Sequence, residues 1–122
     1  MRDFQSLCQI RRSYRKYTNQ PVEQEKLDYI IRCALMSPAG KRMNPWHFVV
    51  IKNEEILRQL AGCRTYGSGM FDTAMAGIVV AADTSVIDTW QCDAAIAAQN
   101  IWLAAADQGL GACWCHVYLR EG

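Results

Sequence analysis

Residues 88–108 read DTWQCDAAIAAQNIWLAAADQ, and residues 109–119 continue as GLGACWCHVYL. The first stretch contains neither proline nor glycine and carries alanine at 94, 95, 97, 98, 104, 105 and 106. Alanine is the strongest helix former, so a long helix is predicted from Asp88 to Gln108. Alanine on several faces lets other backbones come close, which places such a helix in the middle of a fold or at a subunit interface. Gly109-Leu110-Gly111 stops it, and Ala112 to Leu119 reads as a strand.

Working outward, Ile78 to Ala82 and His47 to Ile51 are short β-branched runs that read as buried strands. Asn53 can cap a helix from Glu54 to Ala61, with two acids in its first turn and Gly62 as its stop. Residues 63–72 are glycine-rich and give no clear period. Upstream, Leu27, Ile30, Ile31, Ala34 and Leu35 share one face of a predicted helix from Glu23 to Met36. Pro38 ends that helix, because the residue before proline avoids helical backbone angles. Phe4, Leu7, Cys8 and Ile10 make a short amphipathic helix at the start. The order α, α, β, α, β, α, β describes an α+β or α/β chain with a small sheet and helices around it. Three strands are few for so helical a chain. The third would present an edge that normally has a further neighbour, so we expect a C-terminally shortened chain or one completed by a partner.

The 122 residues suit a single domain, 1–122. Hydrophobic residues make up 51%, which excludes a disordered polypeptide. Thirteen basic and twelve acidic residues leave a formal charge of +1. That balance offers no general field for nucleic acid or an anionic membrane, so any anion site must be local. No apolar run reaches the length of a membrane span. The six cysteines form no spaced framework, and Cys113-Trp114-Cys115 lacks a second pair, so we expect no metal site. With no secretory leader evident after Met1, the expectation is a reduced, cytoplasmic protein.

Three segments could carry chemistry. Arg11-Arg12-Ser13-Tyr14-Arg15-Lys16 gathers four cations and a hydroxyl suited to phosphate oxygens; the plain alternative is a solvated basic turn. Ser37-Pro38-Ala39-Gly40-Lys41-Arg42-Met43-Asn44-Pro45-Trp46 has small residues that admit a ligand close to the backbone, or it is an ordinary helix-to-strand connection. Gly109 to Val117 offers backbone polar groups to a planar ligand, and His116 is either a functional imidazole or a packing residue. There is no carboxylate pair, Ser-His-Asp set, P-loop or G-x-G-x-x-G. An enzyme built this way leaves its chemistry to a cofactor.

In order and spacing, these segments resemble the nitroreductase family. That family opens with R-R-S-x-R-x-F/Y, here Arg11 to Tyr17. It continues with S/A-P-S-A-x-N-x-Q-P-W-x-F, here Ser37 to Phe48. Gln99 to Ala105, Gly109-Leu110-Gly111 and Cys113-Trp114 match the later part. Arg42 stands where the family usually has Asn, and Asn44 where it often has Gln.

The resemblance implies an α+β fold with a small central sheet flanked by helices and a long alanine-rich central helix. It implies a homodimer with FMN at the interface. Arg11, Arg12, Ser13 and Arg15 would then hold the flavin phosphate and ribityl chain. Pro38, Ala39, Gly40 and Arg42 would reach the flavin from the other subunit, and Cys115, His116 and Val117 would lie beside its ring. No side chain would be catalytic in its own right. NAD(P)H would serve as co-substrate and a nitroaromatic, quinone or related small molecule as electron acceptor. The other readings are a flavin-binding module without efficient turnover and a dimerising fragment without activity. Family members usually run on for about fifty residues more, so the sheet is expected to be incomplete in this chain.

Overall fold

The computed structural model describes residues 3–121. Four helices and a two-stranded sheet form its frame, in the order α1 (Phe4–Ile10), α2 (Gln24–Leu35), β1 (Trp46–Ile51), α3 (Glu54–Leu60), β2 (Gly77–Ala82) and α4 (Trp90–Asp107). Every helix lies where the hydrophobic period places it, shifted by a residue or two at the ends. Short 3-10 turns occupy Gly40–Arg42 and Gly69–Asp72.

The helix ends follow local chemistry. Asp3 caps α1 by accepting a hydrogen bond from the Ser6 amide at 2.8 Å, and Asn53 does the same for α3 through the Ile56 amide at 3.0 Å. After α4, Gly109 adopts φ +75°. Its amide bonds the Ala106 carbonyl, and the Leu110 amide bonds that of Ala105 at 2.9 Å. That pair of bonds is the Schellman closure, which needs a residue tolerant of the left-handed region at this point.

The core lies between α2 and α4. Leu27, Ile30 and Ala34 recur on one helical face and are all buried. Ile30 meets Ala104 and Ala105 of α4, with Ile78 of β2 and Leu110 beside them. The small alanines bring the two helices close. β1 and β2 pair antiparallel, from Trp46 opposite Ala82 to Ile51 opposite Gly77. The long excursion between them, α3 and residues 61–76, packs back through Leu57, which is 1% exposed. A Cβ at Gly77 would come within 3.2 Å of Leu57 Cδ2, so glycine lets α3 close down on β2. Arg58 then stitches the excursion by donating to the carbonyls of Phe71 at 2.9 Å and Ala74 at 2.7 Å.

The third strand expected at Ala112 to Leu119 does not form. Ala112 makes a single parallel bridge to Ser13, and residues 113–117 have no ladder. Residues 118–119 form a turn, closed by the Arg120 amide on the Val117 carbonyl at 3.0 Å. The period of two survives locally: Trp114 and His116 stack on each other at 5.0 Å. A strand also needs a neighbouring backbone over several residues. Among the described residues β2 pairs only with β1, and a groove separates it from the 111–118 segment.

Ile30→Ala should lower the unfolding free energy by about 2–5 kcal/mol, because the site lies between two helices and cannot collapse fully. Ile31→Ala, on a half-buried position of the same helix, should cost clearly less. Urea titration monitored by circular dichroism checks this as a shift in midpoint at unchanged slope.

Candidate functional site

The basic turn leaves α1 at Arg11, where the backbone becomes extended (φ −63°, ψ 124°). It is pinned at two points. The Tyr14 amide donates to the Ala112 carbonyl at 3.0 Å, and the Tyr17 amide donates to Thr73 Oγ1 at 3.0 Å. The Tyr17 hydroxyl turns back to donate to the Tyr14 carbonyl. Trp102 of α4 donates its indole N–H to the same Ala112 carbonyl at 3.2 Å, and the Arg11 guanidinium lies 4.3 Å above its ring. Arg11 is thereby oriented by a cation–π contact rather than a carboxylate. Gly111 permits this packing, since a Cβ there would come within 2.9 Å of the Tyr14 ring.

The ion pairs among the described residues are Lys26–Glu23 and Arg58–Glu54. Arg11, Arg12, Arg15 and Lys16 therefore form a local positive patch with no carboxylate partner among the described residues, in a chain of nearly zero net charge. A groove of about 1290 Å³ runs from this turn to the segment after α4. Its walls include Arg11, Arg12, Tyr14 and Lys16 on one side and Cys115, His116 and Val117 on another. Ser13 and Arg15 are not among its lining residues. This alternation is the period of an extended chain: Arg12, Tyr14 and Lys16 face the groove, and Ser13 and Arg15 turn away.

Pro38, Ala39, Gly40 and Arg42 lie apart from the groove, near the beginning of α4. The Gly40 amide donates to Asp93 Oδ1 at 3.1 Å, and Thr89 Oγ1 donates to Asp93 Oδ2 at 3.1 Å. Asp93 is 4% exposed and lies in the first turn of α4. Within the protomer Gly40 packs against the side chains of Thr89 and Ile87, just before α4, and a Cβ there would collide with Thr89 Oγ1. Ser37 is buried and takes a hydrogen bond from Asn100 Nδ2 at 2.8 Å. Lys41, Arg42 and Asn44 all have positive φ, at 50°, 57° and 46°. Their side chains are exposed, so the loop presents charge outward on a constrained backbone.

The third segment brings thiols to the groove. Cys115 donates to the Gly67 carbonyl at 3.5 Å, and burial pushes its thiol up. The Thr65 amide donates to the Glu121 carbonyl at 2.9 Å. Ser68, 2% exposed, donates to the Ala61 carbonyl at 2.6 Å and folds residues 61–68 into a tight loop. Sequence reading left this loop without a role and missed both Trp102 as the rest for Arg11 and Asp93 as the anchor of Gly40. An acid in the first turn of a long helix was the available signal for Asp93; nothing local signalled Trp102.

Comparison with known proteins bears on the whole chain. The Nitroreductase family profile matches residues 9–65 and 63–121. A protein of Methanothermobacter thermautotrophicus, provisionally named NADH dehydrogenase/NAD(P)H nitroreductase, is 39% identical over 98% of this chain and 63% of its own length. The FMN-dependent nitroreductase of Clostridium difficile R20291 superposes with a TM-score of 0.91 at 43% identity, covering 93% of this chain and 66% of that one. A Desulfovibrio desulfuricans protein provisionally named a nitroreductase, solved in complex with FMN, gives a TM-score of 0.81 at 28% identity, covering 93% of this chain and 67% of that one. The chain thus spans about two thirds of the length of these relatives. No helix among the described residues is long and apolar enough to cross a membrane, and no group of three or more metal-ligating side chains occurs among them.

Burial, with the neighbouring Cys113 next in effect, pushes the Tyr17 hydroxyl up to about 12. The folded state therefore favours the neutral phenol. That contribution is complete below the ordinary tyrosine value near 10 and is lost as pH rises towards 12. Wild-type protein should lose melting temperature more steeply between these values than Tyr17→Phe, which thermal melts across a pH series will show. The three segments read from the sequence, the fold and the comparisons agree: the chain belongs to the nitroreductase family.

Proposed function

We propose that this chain is the FMN-binding protomer of a homodimeric oxidoreductase. It would pass hydride from NAD(P)H through FMN to a nitroaromatic, quinone or related small acceptor. The observation that carries the reading is the cationic turn at Arg11–Lys16, without a carboxylate partner among the described residues and held by Ala112 and Trp102, in a chain whose structural neighbours include two named for FMN. When bound, FMN supplies the two-electron chemistry at its N5; the chain's own groups bind, orient and exclude water.

The donor set suits that cofactor. Arg11, Ser13 and Arg15 offer guanidinium forks and a hydroxyl to a phosphate and a polyol. Arg12, like Arg11, lines the groove, and we take it to bring a further positive charge to the same phosphate. Pro38, Ala39, Gly40 and Arg42 do not reach this turn within one protomer, which supports their serving a partner's site across a dimer interface. The backbone at Cys115, His116 and Val117 provides a wall for a flat ring. Six cysteines without a spaced disulfide framework suit a reducing compartment, and we place the protein in the cytoplasm.

FMN titration should give a saturable shift of the flavin absorption spectrum with purified protein. Ser13→Ala combined with Arg15→Ala should weaken FMN affinity on the order of 100-fold, since two hydrogen bonds to a charged phosphate are lost. Arg12→Ala should weaken FMN affinity as well, since a positive charge beside the phosphate is lost. Unchanged affinity in the double variant removes the phosphate assignment. NAD(P)H oxidation that depends on an added quinone or nitroaromatic tests turnover. The separation of the 38–42 loop from the turn within a protomer favours one further reading, a flavin-binding module with poor turnover. Bound FMN without acceptor-dependent oxidation would identify that case, and dimeric protein without FMN affinity would identify a purely structural role.

A further inference from the structure

α4 carries a buried carboxylate near its beginning. Asp93 has no basic partner among the described residues. A buried charge is costly, and an apolar residue of similar size is often as stabilising. Both oxygens of Asp93 are engaged instead by neutral donors. Oδ1 accepts from the Gly40 amide at 3.1 Å and Oδ2 from the Thr89 hydroxyl at 3.1 Å.

What Asp93 holds is a loop. Gly40 opens the 3-10 turn Gly40–Arg42. The turn closes through the Arg42 amide on the Ala39 carbonyl at 3.1 Å and the Met43 amide on the Gly40 carbonyl at 3.0 Å. Lys41 and Arg42 have φ of 50° and 57°, a conformation that persists where the surroundings enforce it. Upstream, the buried Ser37 accepts from Asn100 Nδ2 at 2.8 Å. Asn100 stands seven residues after Asp93, on the same face of α4. Downstream, the Asp83 amide donates to the Pro45 carbonyl at 2.8 Å. The loop is thus fixed at 37, 40 and 45, while Lys41, Arg42, Met43 and Asn44 between these points are exposed. None of residues 38–44 lines the groove of its own protomer. A surface loop fixed by a rigid scaffold and set apart from its own groove is placed to meet a ligand outside the protomer.

We propose that Asp93 is a positioning residue that works across a dimer. By holding Gly40, it sets the 38–42 loop against the flavin bound at the basic turn of the other subunit. That role rests on reading the chain as an FMN-binding homodimer. Asp93 itself does not touch the flavin. It orders the loop before the cofactor arrives, so that binding does not bear the cost of ordering it.

FMN affinity and subunit mixing test this together, on full-length chains. In homodimers, Asp93→Ala should weaken FMN binding by about tenfold, as expected when an ordered loop is set free. Asp93→Asn keeps an acceptor for the Gly40 amide and offers Thr89 Oγ1 a donor, so it should bind FMN nearly as the wild type does. Circular dichroism checks that each variant folds. Where Asp93→Ala does not, Thr89→Val takes its place at an exposed position: it removes one hydrogen bond from Asp93 and should weaken FMN binding by a smaller factor. Mixed dimers come from co-expressing Asp93→Ala with the Ser13→Ala and Arg15→Ala double variant under different affinity tags. If the loop acts on the other subunit, each mixed dimer has one site in which turn and loop are both intact. It should bind one FMN with wild-type affinity, although neither parent homodimer binds any so tightly. A mixed dimer without such a site overturns the proposal. So does wild-type affinity in Asp93→Ala or in the Thr89→Val that replaces it, and so does an equal loss in Asp93→Asn and Asp93→Ala. A wild-type chain that binds no FMN or stays monomeric removes the homodimeric flavoprotein reading and the role of Asp93 with it. Wild-type binding with unaffected Asp93 variants removes the role of Asp93 alone.

Discussion

The carbonyl oxygen of Ala112 accepts two hydrogen bonds, from the Tyr14 amide at 3.0 Å and from the Trp102 indole at 3.2 Å. A carbonyl has two lone pairs, and here both are used by parts of the chain that are far apart in sequence. One bond brings the basic turn to the segment after α4. The other fixes the ring on which Arg11 rests. Loss of either would free the guanidinium and separate the two walls of the groove. Glycine at 111 is the condition for this contact, because a side chain there would strike the Tyr14 ring.

α4 acts as a ruler between the two halves of the candidate site. Near its beginning, Asp93 holds Gly40 and with it the 38–42 loop. Nine residues further on, Trp102 holds the basic turn. At 1.5 Å per residue these anchors stand about 13 Å apart along the helix axis. Gly40 and the basic turn are therefore held at separate points along α4. The alanines that let α2 pack tightly also keep parts of α4 exposed, with Ile96 42% accessible, which leaves an apolar surface available to a partner.

Much of this was legible in the sequence because it depends on short-range rules. Leu27, Ile30 and Ala34 repeat with the helical period and are buried. Asn53 precedes two acids and caps α3. Gly109 ends α4 in the left-handed region. The basic turn could be found by its cations, but not their orientation: the alternation of Arg12 and Lys16 towards the groove, with Ser13 and Arg15 away from it, follows from an extended backbone pinned at Tyr14. The third strand was misread for the opposite reason. Its residues alternate as a strand's do, yet alternation reports only which side chains share a face.

The sequence by itself determined the helices, the two paired strands, the family and the chemical types grouped at the site. Each of these rests on period, capping or motif spacing, which act over a few residues. Only the tertiary structure decided that residues 113–117 remain without a ladder, that Gly40 approaches Thr89, that Trp102 carries Arg11, and that Cys115 reaches the Gly67 carbonyl. Those outcomes depend on which distant backbone or side chain arrives at a given place. Residues 67 and 115 have no local relation, and it is the packing of the loop after α3 against the segment after α4 that makes them neighbours.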